Sequence, residues 1–343
     1  MKTIKLVVSF LAASFSLTSY AETGVDAYYE YLQNPALLME KADDPKAAEI
    51  QALLQSIAPE INFHSEEKFL PMDPNEFLDR SSLRRGSYGK SVEISGVGDF
   101  TAESLASLDS SYFLRLEGSR KAPLVKPAPL IWQLSGTPLV NQLPSRAGSR
   151  WVMIDFWFTT AYNEALFLFK LGDHQGEWEG QGFLVELSTD SEGKLQHRLG
   201  GAYYAHHMSG TWYCPSELEW TADSHPRAYS AHGSHASYAS AGKYPRRGGL
   251  LGNDHTNGNG SVLRGWEYIR PLVLEPYYGF LGGWGNRGIM SAMNGPDGPN
   301  STKFYPREKD EKSLNRMAAD LQNRCAINSA EVSPQADAEE ESN

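Results

Sequence analysis

Gly172-Asp173-His174-Gln175-Gly176-Glu177-Trp178-Glu179, followed two residues later by Gly182-Phe183-Leu184-Val185-Glu186-Leu187, is the stretch on which the reading of this chain turns. The second part is rich in β-branched and aromatic side chains and reads as a strand. The first part gathers polar and charged residues just after the apolar run Leu166-Phe167-Leu168-Phe169, so it reads as a turn feeding that strand. Side chains alternate along an extended segment, which puts Glu177 and Glu179 on one face and Trp178 on the opposite, apolar one. Asp173, His174, Glu177 and Glu179 together supply carboxylate oxygens and an imidazole, a donor set for a divalent metal cation. One histidine among carboxylates favours Ca²⁺ or Mg²⁺ over Zn²⁺, and adding His232 or His235 would shift the balance towards Zn²⁺.

Outward from this stretch, short apolar runs recur between Gly- and Pro-rich turns. Examples are Leu130-Ile131-Trp132-Gln133-Leu134, Trp151-Val152-Met153-Ile154-Asp155-Phe156-Trp157-Phe158 and Leu272-Val273-Leu274. Alternation of Ile61 and Phe63 marks a first strand. No βαβ alternation is visible, so the fold class is mainly β, an antiparallel β-sandwich with a loop-rich face over residues 58–310. A short helical N-terminal arm precedes it over residues 22–57, where Tyr28, Leu32, Leu37 and Leu38 recur at helical spacing. Pro35 and Pro45 divide the arm into two helices, each opened by its proline. Residues 311–343 read as a short helix and a disordered acidic tail.

The first residues have the layout of an export signal. Lys2 and Lys5 form a basic start, residues 6–17 are apolar, and Ser19-Tyr20-Ala21 places small residues at a cleavage site. Residues 1–21 are therefore expected to be a signal peptide, and the protein to be exported, either secreted or periplasmic. No later segment is apolar for the roughly 18 residues of a spanning helix, so a transmembrane protein is not expected. A formal net charge of −11 without a basic stripe argues against a nucleic-acid partner. Cys214 and Cys325, the two cysteines of the chain, form either one disulfide or two unpaired buried thiols.

All nine histidines follow the helical arm. His64 lies beside Glu66 and Glu67, and His206, His207, His232 and His235 sit in aromatic- and Gly-rich segments. These last four are the candidates for a general base. A zinc-hydrolase HExxH and a GxSxG nucleophile elbow are both missing from the sequence. Glu177 and Glu179 have the chemistry of an acid–base pair, but as neighbours on one strand face they more naturally share a cation.

The central octapeptide resembles the GDHxGDWE signature of the vacuolar protein sorting-associated protein 62 family. Five further stretches are similar in the same order: residues 63–71, 157–163, Tyr203-Tyr204-Ala205-His206-His207 with Gly210 and Trp212, 229–238, and 276–285 with the 295–299 turn. The resemblance covers about residues 58–310. The same octapeptide is similar to the GHRHDWE heptapeptide of necrosis-inducing secreted toxins, whose metal-binding histidine, acid and glutamate fall on His174, Glu177 and Glu179. Gly176 stands where that heptapeptide has its second histidine, and Glu177 where both families usually have Asp. For the toxins' upstream acidic ligand the candidates are Asp155, Asn163 and Glu164. That second resemblance implies a β-sandwich holding a divalent cation and binding lipid headgroups.

Three functions follow as expectations. The first is a secreted, cation-binding β-sandwich that recognises membrane lipid headgroups or glycans, toxin-like in its motif, with Asn163, Trp178, Tyr204, Tyr238, Asp254 and His255 as ligand contacts. The second is a metal-dependent hydrolase of phosphoesters or glycans, with His235, His206 or His207 as base. The third is an exported domain in which a cation only ties loops together.

Overall fold

The computed structural model describes residues 24–118, 128–135, 138–164, 172–207, 209–246, 253–290, 293–299, 311–325 and 327. The expected signal peptide and acidic tail lie outside the described residues.

Two long neighbours, Arg150–Asn163 and His174–Thr189, form the backbone of the fold. They pair antiparallel from Arg150 against Leu187 to Asn163 against His174. Around them a seven-stranded sheet runs in the spatial order Ser209–Tyr213, Leu195–His206, His174–Thr189, Arg150–Asn163, Leu130–Leu134 and Ile269–Pro271, with Pro71–Met72 pairing beside Arg150–Asn163. A four-stranded sheet of Ser237–Tyr238, Arg227–Ser230, Glu60–Asn62 and Val262–Arg264 packs on one face. Phe156, Phe158, Phe183 and Val185 from the large sheet meet Ile61, Phe63, Ala228 and Leu263 there, all buried.

The helical arm closes that core instead of standing apart from it. Its segments Gly24–Gln33, Ala36–Glu40 and Pro45–Ile57 bury Tyr28, Leu32, Ile50, Leu53 and Leu54 in the same cluster. There are three helices where two were expected. Asp44 caps the third by accepting the Lys46 backbone N–H at 2.9 Å, with Pro45 at the first helical position. Each fully buried aliphatic or aromatic side chain of this kind contributes about 1.5–3 kcal/mol.

The opposite face of the large sheet carries two further layers. Gly283–Trp284, Tyr112–Leu116, Ser81–Arg85 and Val92–Ser95 form a second four-stranded sheet, whose Trp284 and Leu114 pack with Trp157 and Trp178 of the large sheet. The helix Glu311–Arg324 sets Leu314, Ala318 and Leu321 against Trp151, Met153 and Leu184. A Cys214–Cys325 disulfide pins its end, with 5.0 Å between the Cα atoms.

The sandwich is mainly antiparallel, but three pairings are parallel: Glu60–Asn62 with Arg227–Ser230 at the centre of its sheet, and Ile269–Pro271 with Leu130–Leu134 and Gly283–Trp284 with Tyr112–Leu116 at sheet edges. Leu272-Val273-Leu274, expected as a strand, is a 3₁₀ turn after Pro271. Leu272 alone is buried, while Val273 and Leu274 are exposed, so the run does not present a strand's continuous buried face.

Candidate functional site

On the strand His174–Thr189, Glu177, Glu179 and Gln181 continue the face that buries Phe183, Val185 and Leu187. The interior of the sandwich thus turns from apolar to polar at one end. Across the sheet Glu177 stands opposite Thr160, and Glu179 opposite Phe158. Both carboxylates are buried, as the aromatic neighbours require.

The facing layer supplies the counterpart. Because Glu60–Asn62 and Arg227–Ser230 run parallel, with Asn62 beside Tyr229, the turns that follow them leave the sheet at the same edge. Glu67 from the first turn accepts the backbone N–H groups of Lys68 and Phe69, both at 2.8 Å, and of Gly233 in the second turn at 2.7 Å. Its Oε1 lies 3.4 Å from His235 Nε2, both side chains being almost wholly buried. Burial raises the Glu67 pKa, but His235 and the backbone donors outweigh it and hold the carboxyl well below its usual range. Burial lowers the His235 pKa, but Glu67 reverses this and lifts it above that of a free imidazole. His235 is also within 3.4 Å of Thr160 Oγ1, through Nδ1. Gln181 Nε2 donates to Ser237 Oγ at 2.6 Å and clamps the two layers beside the pocket.

Asp254 completes the ring from the small sheet of Gly242–Pro245 and Asn253–Thr256. It accepts from Ser234 Oγ and Tyr238 OH, each at 2.7 Å, and from Arg246 at 2.9 and 2.7 Å. His207 Nε2 lies 2.6 Å from Asp254 Oδ2. Burial opposes ionisation of Asp254, but His207, Arg246 and Ser234 overcome it and keep the carboxyl charged. His207 and His235 both hold left-handed backbone, with φ of 56° and 55°. Non-glycine residues in that region cost energy that the surrounding structure must supply, and they concentrate at functional sites.

Glu177 and Glu179 differ sharply in company. Burial raises the Glu177 pKa, while His174, His235 and His207 pull it down. Burial also raises the Glu179 pKa, and the nearest charges, Glu177 and Asp254, push it further in the same direction. Among the described residues neither a donor nor a cationic side chain contacts the Glu179 carboxylate. A buried carboxylate in such a place must take up a proton or a cation, since leaving it charged and uncompensated costs several kcal/mol.

Of the four expected metal ligands, the structure brings His174 and Glu177 together. His174 Nδ1 lies 2.8 Å from the Gly176 carbonyl and donates to it, which leaves Nε2 facing Glu177 Oε2 at 3.4 Å. Glu179 lies in the same pocket one pleat further in. Asp173 does not join them, and it accepts the Tyr162 hydroxyl at 2.9 Å. Among the described residues one His/Asp/Glu group has ligand atoms all within 4.8 Å of one another, and it is His64, Glu66 and His232. His64 and Glu66 were not in the expected ligand set, although their closeness in sequence was visible.

The other candidates divide similarly. Tyr238 and Asp254 belong to the pocket. Trp178 corrects to a packing residue, buried on the far face edge-to-face with Trp284 at 5.0 Å. Tyr204 is buried too, its hydroxyl donating to the Arg227 carbonyl at 2.8 Å. Asn163 Nδ2 donates to the Gly172 carbonyl at 2.7 Å and holds the turn. His206 meets Thr211 Oγ1 at 3.0 Å and stacks on Tyr238, so it lines the pocket wall, while His255 is exposed and its ring lies 4.9 Å from that of His64.

None of the three upstream acid candidates takes the place expected of it. Asp155 points to the far face of the sheet opposite Gly182, Asn163 holds the turn, and Glu164 pairs with Lys68 at 3.1 Å. Gly176, with φ of 66°, would place a Cβ 2.0 Å from the Trp284 carbonyl oxygen, so no histidine fits there. Ser234, Arg246 and Glu67 went unnoticed as site residues because their roles depend on pairing between distant strands.

The geometry defines a β-sandwich whose layers enclose a buried cluster of carboxylates and histidines at one end. Residues 9–268 match the family model of Vacuolar protein sorting-associated protein 62, and the chain belongs to that family. The matched span takes in the helical arm and every pocket residue named above, and ends before residues 276–299, where the resemblance had been extended. No curated protein and no solved structure matches the chain.

Proposed function

We propose that the pocket binds a divalent cation and that this ion presents a binding site for a lipid headgroup or glycan at the surface of an exported protein. The observation that carries the reading is Glu179, a buried carboxylate faced by Glu177 and Asp254 with no donor or cationic side chain against it among the described residues. An ion held by Glu179 and Glu177, with His174 Nε2 beside them, would relieve that repulsion. The carboxylate-rich donor set favours Ca²⁺ or Mg²⁺.

The pocket rim supports a polyhydroxylated or headgroup ligand. His206, Tyr238 and Tyr244 form a parallel aromatic stack, with ring centroids 5.3 and 3.8 Å apart, next to the hydrogen-bonded Asp254. Such a stack offers an apolar ledge beside polar groups, the combination that sites for small ligands use. Export is supported by the signal-like first residues and by the disulfide, a bond that persists in oxidising compartments. Among the described residues no helix is long and apolar enough to cross a membrane.

A second reading, a metal-dependent hydrolase, is favoured by the 2.6 Å His207–Asp254 contact and by the left-handed backbone at His207. A carboxylate-oriented imidazole beside a bound ion is the arrangement of a general base. The test is elemental analysis of purified protein equilibrated with Ca²⁺ and Mg²⁺, beside Glu179→Gln. About one ion per chain in the parent and none in the variant is the expected result, and no ion in the parent overturns the reading. Cation-dependent sedimentation with lipid vesicles, or retention on a glycan panel, then separates binding from turnover of a chromogenic phosphodiester.

A further inference from the structure

We propose that His64, Glu66 and His232, with His255 at the edge, form a second metal site, selective for an imidazole-preferring ion such as Zn²⁺ and separate from the acidic pocket. The ligand atoms of the first three lie within 4.8 Å of one another. The rings of His64 and His232 are parallel, with centroids 4.8 Å apart, and the ring of His255 lies 4.9 Å from that of His64. Three imidazoles packed side by side without hydrogen bonds between them are poorly explained by packing alone. His64 Nε2 and His232 Nε2 are buried with no hydrogen-bond partner among the described residues, and it is the Nδ1 edges of the two rings that turn to Glu66.

The Nδ1 edges of both rings border Glu66. His64 Nδ1 accepts the Glu66 backbone N–H at 3.1 Å, so it presents a lone pair and no proton, the form that coordinates a metal. Glu66 Oε2 lies 3.8 Å from His232 Nδ1, and its side chain is largely exposed and free to swing inward. An ion displaces the N–H contact and draws the three groups to Zn–N and Zn–O distances of about 2.0–2.2 Å. His255 or water fills the fourth tetrahedral position. Two or three nitrogens with a single carboxylate suit Zn²⁺, Ni²⁺ or Cu²⁺ better than Ca²⁺, the reverse of the Glu177–Glu179 pocket.

The two turns bearing these ligands are fixed by Glu67, which accepts from Gly233 on the second turn while following Glu66 on the first. The ligand-bearing turns are thus held in place, and binding requires the Glu66 side chain to swing inward and the His64 Nδ1 contact with the Glu66 backbone N–H to give way.

Full-length metal-free protein, its Glu179→Gln variant, and Glu66→Gln and His232→Gln variants are titrated with Zn²⁺ by calorimetry, and with Co²⁺ while visible absorption is recorded. The expected result is one Zn²⁺ site in the parent that survives Glu179→Gln and is weakened at least tenfold by Glu66→Gln and by His232→Gln, with tetrahedral Co²⁺ bands lost in parallel. Because the Glu66 side chain is exposed, its variant keeps the metal-free melting temperature of the parent, and a loss of Zn²⁺ affinity there reports ligation. Zn²⁺ binding that is absent from the parent, indifferent to both substitutions, or abolished by Glu179→Gln overturns the second site. Failure of the Ca²⁺ and Mg²⁺ site leaves this outcome unaffected, since a different variant reads it.

Discussion

His207 Nε2 and Asp254 Oδ2 meet at 2.6 Å, joining the end of the strand Leu195–His206 to the small sheet that carries Asp254. This one carboxylate also holds Ser234, Tyr238 and Arg246, so it organises the rim of the pocket.

Asp254→Asn removes the charge that Arg246 and His207 need. Breaking a buried pair from one side costs about 3–5 kcal/mol, and the variant is expected to unfold at correspondingly lower urea concentration at pH 7. The Asp254 pKa is depressed in the folded state, so its stabilisation is complete above the unfolded carboxylate range near pH 4 and fades as pH falls through the lower folded value. The gap between parent and variant therefore narrows on acidification below about pH 4. A gap constant down to pH 2 would count against the assignment.

Glu179→Gln is expected to leave the cation-free protein as stable as the parent or more so, because a neutral amide replaces a carboxyl in an acidic, buried place. If the parent binds a cation as proposed, that cation competes with a proton on Glu179. Affinity therefore falls as pH drops below the raised pKa, by up to about tenfold per pH unit, with proton release on binding. Calorimetry in two buffers of different ionisation enthalpy measures it.

Asp155→Asn probes the far face of the same sheet. Asp155 is buried, and burial lifts its pKa well above the usual value, although Gln133 and Ser135 hydrogen-bond to it. The folded state then binds more protons than the unfolded one, so the parent loses stability as pH rises above about 4, by at most about 1.4 kcal/mol per pH unit. The asparagine variant lacks that slope. Urea unfolding of both at pH 5 and pH 8 is the measurement, and parallel trends would refute the buried-acid account.

Gly176→Ala tests the motif's backbone. A Cβ at 176 would lie 2.0 Å from the Trp284 carbonyl oxygen, on residue backbone with φ of 66°. Strain and displacement together are expected to cost about 2–4 kcal/mol and to loosen Glu177. A variant that melts within a degree of the parent would contradict this geometry.

The Cys214–Cys325 bond spans 111 residues of sequence and ties the terminal helix to the sheet. The paired Cys214→Ser/Cys325→Ser variant is expected to lose about 2–4 kcal/mol, and its terminal helix to be cut first in limited proteolysis. Equal protease resistance in parent and variant would show that the packing of Leu314, Ala318 and Leu321 suffices.

The strand character of residues 182–187, the shared face of Glu177 and Glu179, and the β-sandwich were legible because each rests on local periodicity. The role of Trp178 was half legible: alternation placed it opposite Glu177, yet only the second four-stranded sheet shows that its far side is closed. Glu67 and Arg246 were not legible as site residues. Glu67 acts through Gly233, 166 positions away, and that depends on which strands pair and in which direction. Leu272-Val273-Leu274 misled because an apolar run of three carries no period.

The parallel pairing of Glu60–Asn62 with Arg227–Ser230 also fixes when the pocket comes into being. A chain emerging from its N-terminus makes the first ligand-bearing turn long before the second, and neither half has anything to chelate with. Closing that loop is entropically unfavourable and slow. If the pocket holds a cation as proposed, that ion adds stability by mass action to the complete fold alone, and ion availability would then act as a checkpoint on maturation.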